Sequence, residues 1–232
     1  MGGRQMDENS YRNELKYIIS PESKVMLSRN LGLIMKRDRN AIGKGYYVKS
    51  LYFDTLYDEA LRDNLLGAPS REKYRIRCYN NDYRFIRLEK KEKHLNKGMK
   101  RSCSLTQNEV QQIIDGQYDF LKGRGEELLR DFYIALKTKR LIPKVIVCYF
   151  REPFLYPPGN VRVTLDYELR HSRNIKDFFE DQQSYRKEEK TKCLLEVKFD
   201  EFLPDVIKDM IQVKETMQTA NSKYVTGRFL TG

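Results

Sequence analysis

The sequence predicts a β-rich α+β domain whose strands carry one charged face, in a flat sheet or a closed barrel, with helices packed on the apolar face. Three observations carry this. Seven or eight segments read as strands, and many set charged residues at a period of two against apolar residues on the other face. Several segments between them read as helices that need an apolar surface to pack on, which leaves the charged faces to line an interior. There is no βαβ rhythm, no G-x-G-x-x-G and no Walker A motif, so a doubly wound nucleotide fold is excluded.

The period-two pattern is clearest in KCLLEVKFD (192–200). Glu196 and Lys198 share one face there, and Leu195, Val197 and Phe199 share the other. YRNELKYII (11–19) repeats it with Arg12, Glu14 and Lys16 on one side. Pro21 after Ser20 marks a helix start, and the helix is expected to run to about Arg37. A loop at 40–45 and a strand at 46–53 follow, then a short helix over 55–66 ended by Gly67. REKYRIRCY (71–79), the Asn-rich turn 80–82 and YRFIRLEKK (83–91) form a hairpin with Lys73, Arg75 and Arg77 on one face and Arg87, Glu89 and Lys91 on one face of its partner. The basic stretch 91–102 reads as a loop or the start of a strand. Thr106 and Glu109 form a capping box for a helix ending near Gly116. A second helix spans about 125–140, before a strand at 144–151 that ends in Arg151. EPFLYPPGN is a turn-rich link to the strand 161–169, with Arg162, Thr164 and Asp166 on one face. Residues 180–192 read as an exposed loop or hairpin tip, 204–215 as a helix, and the stretch from Thr219 to Gly227 as a tail.

The 232 residues form one domain, with 1–10 a loose segment, and the 40% hydrophobic content is ample for a core. A net charge of +11 points to acidic partners: nucleic acid, anionic lipid or phosphate-rich small molecules. The basic residues alternate within strands and lack a stacking surface motif, so no nucleic-acid partner is expected. Four dispersed cysteines (78, 103, 148, 193) read as reduced thiols of a cytoplasmic protein, and two histidines, His94 and His171, are too few for a zinc site. No run of membrane-spanning length is present.

A flat sheet would leave the same-face charges in water, which is the plain alternative. A closed interior crowded with cations needs a polyanion or compensating carboxylates. Arginines offer planar forks for phosphate oxygens, lysines offer point charges, and the few carboxylates can hold Mg²⁺ or Mn²⁺ against the phosphates.

At this point the motifs carry a resemblance. YRNELKYII, SLYFDT (50–55), YRIR (74–77), LEKK (88–91), YFR (149–151), VRVTLD (161–166), LLEVKF (194–199) and the late SKY (222–224) occur in an order that resembles the VTC domain in its stand-alone bacterial form. That domain is the polyphosphate polymerase domain of the triphosphate tunnel metalloenzymes, or CYTH-like superfamily. The resemblance implies an antiparallel eight-stranded tunnel barrel. It implies phosphate-gripping, catalytic roles for Lys16, Arg75, Arg77, Lys91, Arg151, Arg162 and Lys198, and substrate contacts from Lys100, Arg101, Ser222 and Lys223. Glu196 resembles the family's metal-binding carboxylate, with Glu14 assisting and Asp166 holding a neighbouring cation.

The expected activity is metal-dependent transfer of the γ-phosphoryl of ATP to a growing phosphate chain, releasing ADP. The alternatives are a triphosphatase or polyphosphatase in the same site, and a binding module for polyphosphate without turnover. One departure stands out. The superfamily's first-strand signature is E-x-E-x-K, and here Arg12 replaces the first carboxylate, which fits the VTC branch better than a CYTH hydrolase or cyclase. The regulatory SPX domain and the membrane helices of the eukaryotic polymerase are not in the sequence, so a membrane association is expected only through a partner.

Overall fold

The computed structural model describes residues 12–95, 97–180, 185–187, 192–212, 217–219 and 222–229. The expected loose segment 1–10, most of the 180–192 loop and the end of the 204–215 helix lie outside these residues. Among the described residues eleven strands form one sheet: β1 (Asn13–Ile19), β2 (Lys36–Arg37), β3 (Tyr46–Asp54), β4 (Ser70–Tyr79), β5 (Asp82–His94), β6 (Lys97–Leu105), β7 (Ile142–Tyr156), β8 (Val161–Ser172), β9 (Arg186–Lys187), β10 (Cys193–Phe199) and β11 (Met217–Gln218). The helices are α1 (Pro21–Ile34), α2 (Glu59–Leu65), α3 (Gln107–Ile114), α4 (Glu127–Thr138), α5 (Asp205–Ile211) and α6 (Lys223–Phe229).

The pairing is antiparallel in the order β11-β1-β10-β8-β7-β3-β4-β5-β6, with β2 beside β7 and β9 beside β8. This corrects the expected closed, eight-stranded barrel. The sheet is open, and among the described residues no backbone pairing joins β6 to β1. The barrel was inferred from the need to shield facing charges, and side-chain ion pairs meet that need without closure. Lys91 of β5 reaches Glu14 of β1 at 3.2 Å. Six strand spacings separate those strands, about 29 Å in a flat sheet, so the open sheet is strongly bent and its charged face is concave.

The apolar face carries the two larger core clusters. Leu51, Phe53, Ile76 and Leu88 pack against Val110 of α3 and Leu129 and Phe132 of α4. Val163, Leu165, Leu195 and Val197 pack with Leu27 and Leu31 of α1 and Ile207 of α5. Ser20 caps α1 by accepting from the Ser23 amide, and Thr106 and Glu109 form the expected capping box of α3.

Four segments depart from expectation. The helix expected to reach Arg37 ends at Ile34, and Lys36–Arg37 pair with β7 as β2. The basic stretch 91–102 is the end of β5 and most of β6, because pairing with β5 satisfies its backbone. The link EPFLYPPGN continues β7 to Tyr156, with Pro153 opposite Thr164. The tail is helix α6, held on the concave side by Tyr224, which packs with Val145, Val147 and Tyr149.

A candidate phosphate-binding face

Alternation along the strands delivers the side chains. Arg75 and Arg77 of β4 lie opposite Tyr52 and Ser50 of β3 and opposite Glu89 and Arg87 of β5. The Arg75 Nε donates to Glu89 at 2.6 Å, and its Nη1 donates to the Tyr52 hydroxyl at 3.3 Å. Arg77 donates to Ser50 Oγ at 2.9 Å and to the Tyr149 hydroxyl at 3.3 Å, with Glu89 a further 3.8 Å away. Lys100 of β6 stands 3.5 Å from the same carboxylate. Burial would raise the Glu89 pKa, but Arg75, Arg77 and Lys100 hold it far below the usual carboxylate range.

On the next wall Arg151 grips Asp166 with two bonds of 2.7 Å, the planar fork matching the carboxylate. Lys223, brought in by α6, sits 2.5 Å from Asp166 and 4.0 Å from Glu196, above the Tyr149 ring. Arg162 is held farther along by Asp38 and the Tyr46 hydroxyl, both at 2.9 Å.

The third group joins β1, β10 and β5. Lys198 lies 2.8 Å from Glu196 and 3.6 Å from Glu14, while Lys16 and Lys91 approach Glu14 at 3.3 and 3.2 Å. Burial favours the protonated form of Glu196, but Lys198, Lys16 and Lys223 hold its pKa well below normal. Burial also acts on Lys91 and, only partly offset by Glu14, pushes its pKa down to about 8.

All the sequence-derived residues except one converge on this face. The exception is Arg101, whose side chain points to the other face and meets Asp131 of α4 at 2.7 Å. Arg12, at the position of the missing carboxylate, pairs with Asp200 at 2.9 Å. Sequence reasoning did not assign the hydroxyls of Ser50, Tyr52 and Tyr149 that brace the arginines, although they share the polar parity of their strands. It also gave no role to Lys73, which donates to Ser222 Oγ at 3.1 Å.

Among the described residues there is no group of three or more His, Cys, Asp or Glu side chains that would cage a metal. The donors present are Glu14, Glu196 and, opposite Glu196 on β8, the buried Thr164 hydroxyl, which has no hydrogen-bond partner. An all-oxygen, two-carboxylate set fits a hard divalent cation that completes its shell with phosphate oxygens and water, and does not fit a soft metal. No helix among the described residues is long and apolar enough to cross a membrane. Cys78, Cys103, Cys148 and Cys193 are free thiols.

No curated protein matches the chain. Among solved structures, the fold is similar to that of a Bacillus halodurans protein provisionally named an adenylate cyclase, with a TM-score of 0.52 and 12% identity over 97% of this chain and 88% of that one. The PH1012 protein of Pyrococcus horikoshii is similar too, with a TM-score of 0.51 and 14% identity over 93% of this chain and 98% of that one. At such identities the likeness is one of fold alone. The family model described as the VTC domain matches residues 11–231. The match spans nearly the whole sequence, and the chain belongs to the VTC domain family.

Proposed function

We propose that the concave face binds the phosphates of ATP and of a phosphate chain, and that it transfers the γ-phosphoryl of ATP to the chain end with release of ADP. The observation that carries this reading is the surplus of cations on a partly buried face. Glu14, Glu89, Asp166 and Glu196 are each shared by two or more of Lys16, Arg75, Arg77, Lys91, Lys100, Arg151, Lys198 and Lys223. A face in that state lowers its own energy by taking in a polyanion.

Arg75, Arg77 and Arg151 would orient phosphate oxygens with guanidinium groups already fixed by carboxylates and tyrosine hydroxyls, so little rotamer entropy is lost on binding. Lys16, Lys91, Lys198 and Lys223 would offset the charge that spreads over the transferred group. A divalent cation, Mn²⁺ or Mg²⁺, held by Glu196 and Glu14 would supply charge neutralisation at the phosphate oxygens. No protein nucleophile is required, because the acceptor phosphate is one; positioning and electrostatic stabilisation supply the rate. Water in the acceptor position would make the same face a triphosphatase or polyphosphatase.

The test incubates the protein with ATP and Mn²⁺ and follows polyphosphate, ADP, free phosphate and cyclic AMP together. Polyphosphate with ADP is expected; free phosphate alone would replace the polymerase reading with hydrolysis, and no turnover with retained anion binding would leave a binding module. Glu196→Gln should abolish metal-stimulated turnover while keeping much of the anion affinity. Full turnover in that variant would remove Glu196 from the metal role.

A further inference from the structure

Lys73 differs from the cations that share Glu14, Glu89, Asp166 and Glu196. It lies on β4 one alternation before Arg75, directly opposite Lys91 of β5. The partner of its ammonium group is the Ser222 hydroxyl at 3.1 Å, and no described carboxylate reaches it. Ser222 is itself fixed: it accepts from the Val225 amide and donates to Asn64 of α2 at 3.3 Å. The Tyr224 ring lies 5.7 Å from the Lys73 Nζ. The charged groups acting most strongly on Lys73 are Lys91 from β5, Lys16 from β1, and Arg71 and Arg75 from its own strand. The nearest relief is indirect, since Glu14 is already bound to Lys16 and Lys91.

An amine in such surroundings loses its proton readily. Burial first, then the charges of those four neighbours, push the Lys73 pKa down to about 7. An anion placed among the same five groups reverses the second cause, because each neighbour's charge is then shared with the ligand.

We propose that Lys73 and the Ser222 hydroxyl form a further anion subsite on the concave face, and that a phosphate group seated there draws a proton from solvent onto the Lys73 amine. Binding of a phosphate chain is thereby coupled to proton uptake: the neutral amine becomes an ammonium group as the ligand arrives. The coupling deepens the phosphate-binding reading above and rests on it. It also gives the face a way to lower its affinity as pH rises through neutrality, without moving a backbone element.

The experiment is titration calorimetry with inorganic tripolyphosphate, without metal, at pH 8 in two buffers of different ionisation enthalpy, on wild type, Lys73→Met and Lys73→Arg. Wild type should take up close to one proton more per ligand than Lys73→Met. Lys91 contributes in both proteins, so the difference is the quantity read. Arginine keeps its charge at all accessible pH. Between pH 6.5 and 8.5, wild-type affinity should therefore fall about twentyfold relative to Lys73→Arg. Equal proton uptake in wild type and Lys73→Met overturns the coupling, as does a shared pH slope in wild type and Lys73→Arg. The arginine variant decides the matter if the methionine variant does not fold. Absence of tripolyphosphate binding by wild type defeats the phosphate-binding reading itself, and this inference with it.

Discussion

Glu152 and Glu89 are both buried carboxylates, and they lie on opposite faces of the same sheet. Glu152 faces the helices. It receives Lys24 of α1 at 3.0 Å, Arg37 of β2 at 3.2 Å, and hydroxyl bonds from Ser28 at 2.6 Å and Tyr167 at 2.8 Å. Lys24 and Ser28 pin α1 to the sheet, and Arg37 and Tyr167 tie β2 and β8 to β7, so the cluster is a fastening. Glu89 faces the concave side, where Arg75, Arg77 and Lys100 share it and none of them comes from a helix. The difference teaches that ion-pair geometry alone does not mark a ligand site. What distinguishes the concave face is a run of such shared carboxylates, Glu14, Glu89, Asp166 and Glu196, gathered with their cations on one face of the strands.

The sharpest way to break this comparison is to cross the two clusters. Glu152→Ala strands Lys24 and Arg37 around an empty, buried position, and should cost about 3 kcal/mol of stability in urea unfolding. Its tripolyphosphate affinity, measured on the folded fraction, should be unchanged. Arg75→Ala should do the reverse. The loss of charge-assisted bonds to phosphate should weaken tripolyphosphate binding about tenfold to a hundredfold. If Glu152→Ala lowers affinity as much as Arg75→Ala does, the two faces are not functionally distinct.

A smaller effect concerns acid. Glu89, Asp166 and Glu196 all have folded-state pKa values below their ordinary ones, each held down by neighbouring cations against the opposing effect of burial. Between the folded and unfolded values the unfolded chain binds more protons, so stability rises with pH there. Their contribution is complete above the unfolded carboxylate range, declines as pH falls below it, and is gone only below the folded-state values. Melting temperature should therefore drop steeply below about pH 4.5. Glu89→Gln should flatten that drop, and an unaltered acid profile would mean that Glu89 is not held by its arginines in solution.

Much of the concave face was legible because a strand's parity is fixed by its period. Once Glu196 and Lys198 share a face with Lys16, and Arg75 with Glu89, any sheet that pairs them in register collects the same charges. Closure was not legible, since an open bent sheet and a barrel give the same alternation. The decisive contact, Lys91 to Glu14, joins strands that are not neighbours. Helix α6 was hidden for another reason. Its sequence, KYVTGRF, has weak helix propensity, and its place depends on tertiary contacts. Tyr224 donates to the buried Asp54, and Gly227 lies so close to the sheet that a Cβ there would stand 2.8 Å from Val147 Cγ2. Without α6 neither Lys223 nor Ser222 would reach the face.

The smallest expected effect tests the face assignment one residue at a time. Lys100 and Arg101 are adjacent on β6, so alternation sends them to opposite sides of the sheet. Lys100 stands 3.5 Å from Glu89 on the concave side, whereas Arg101 is bound at 2.7 Å by Asp131 and at 3.6 Å by Glu127, both on α4. Lys100→Ala removes a cation within reach of a phosphate chain and should weaken tripolyphosphate binding about threefold to tenfold, with the larger loss at low salt. Arg101→Ala should leave that affinity within about twofold and cost about 1 kcal/mol of stability, because its ion pairs join β6 to α4 at a partly solvated site. Equal losses of affinity in the two variants would mean that long-range charge, and not the side on which a cation stands, governs binding. The concave face would then no longer be the reason for it.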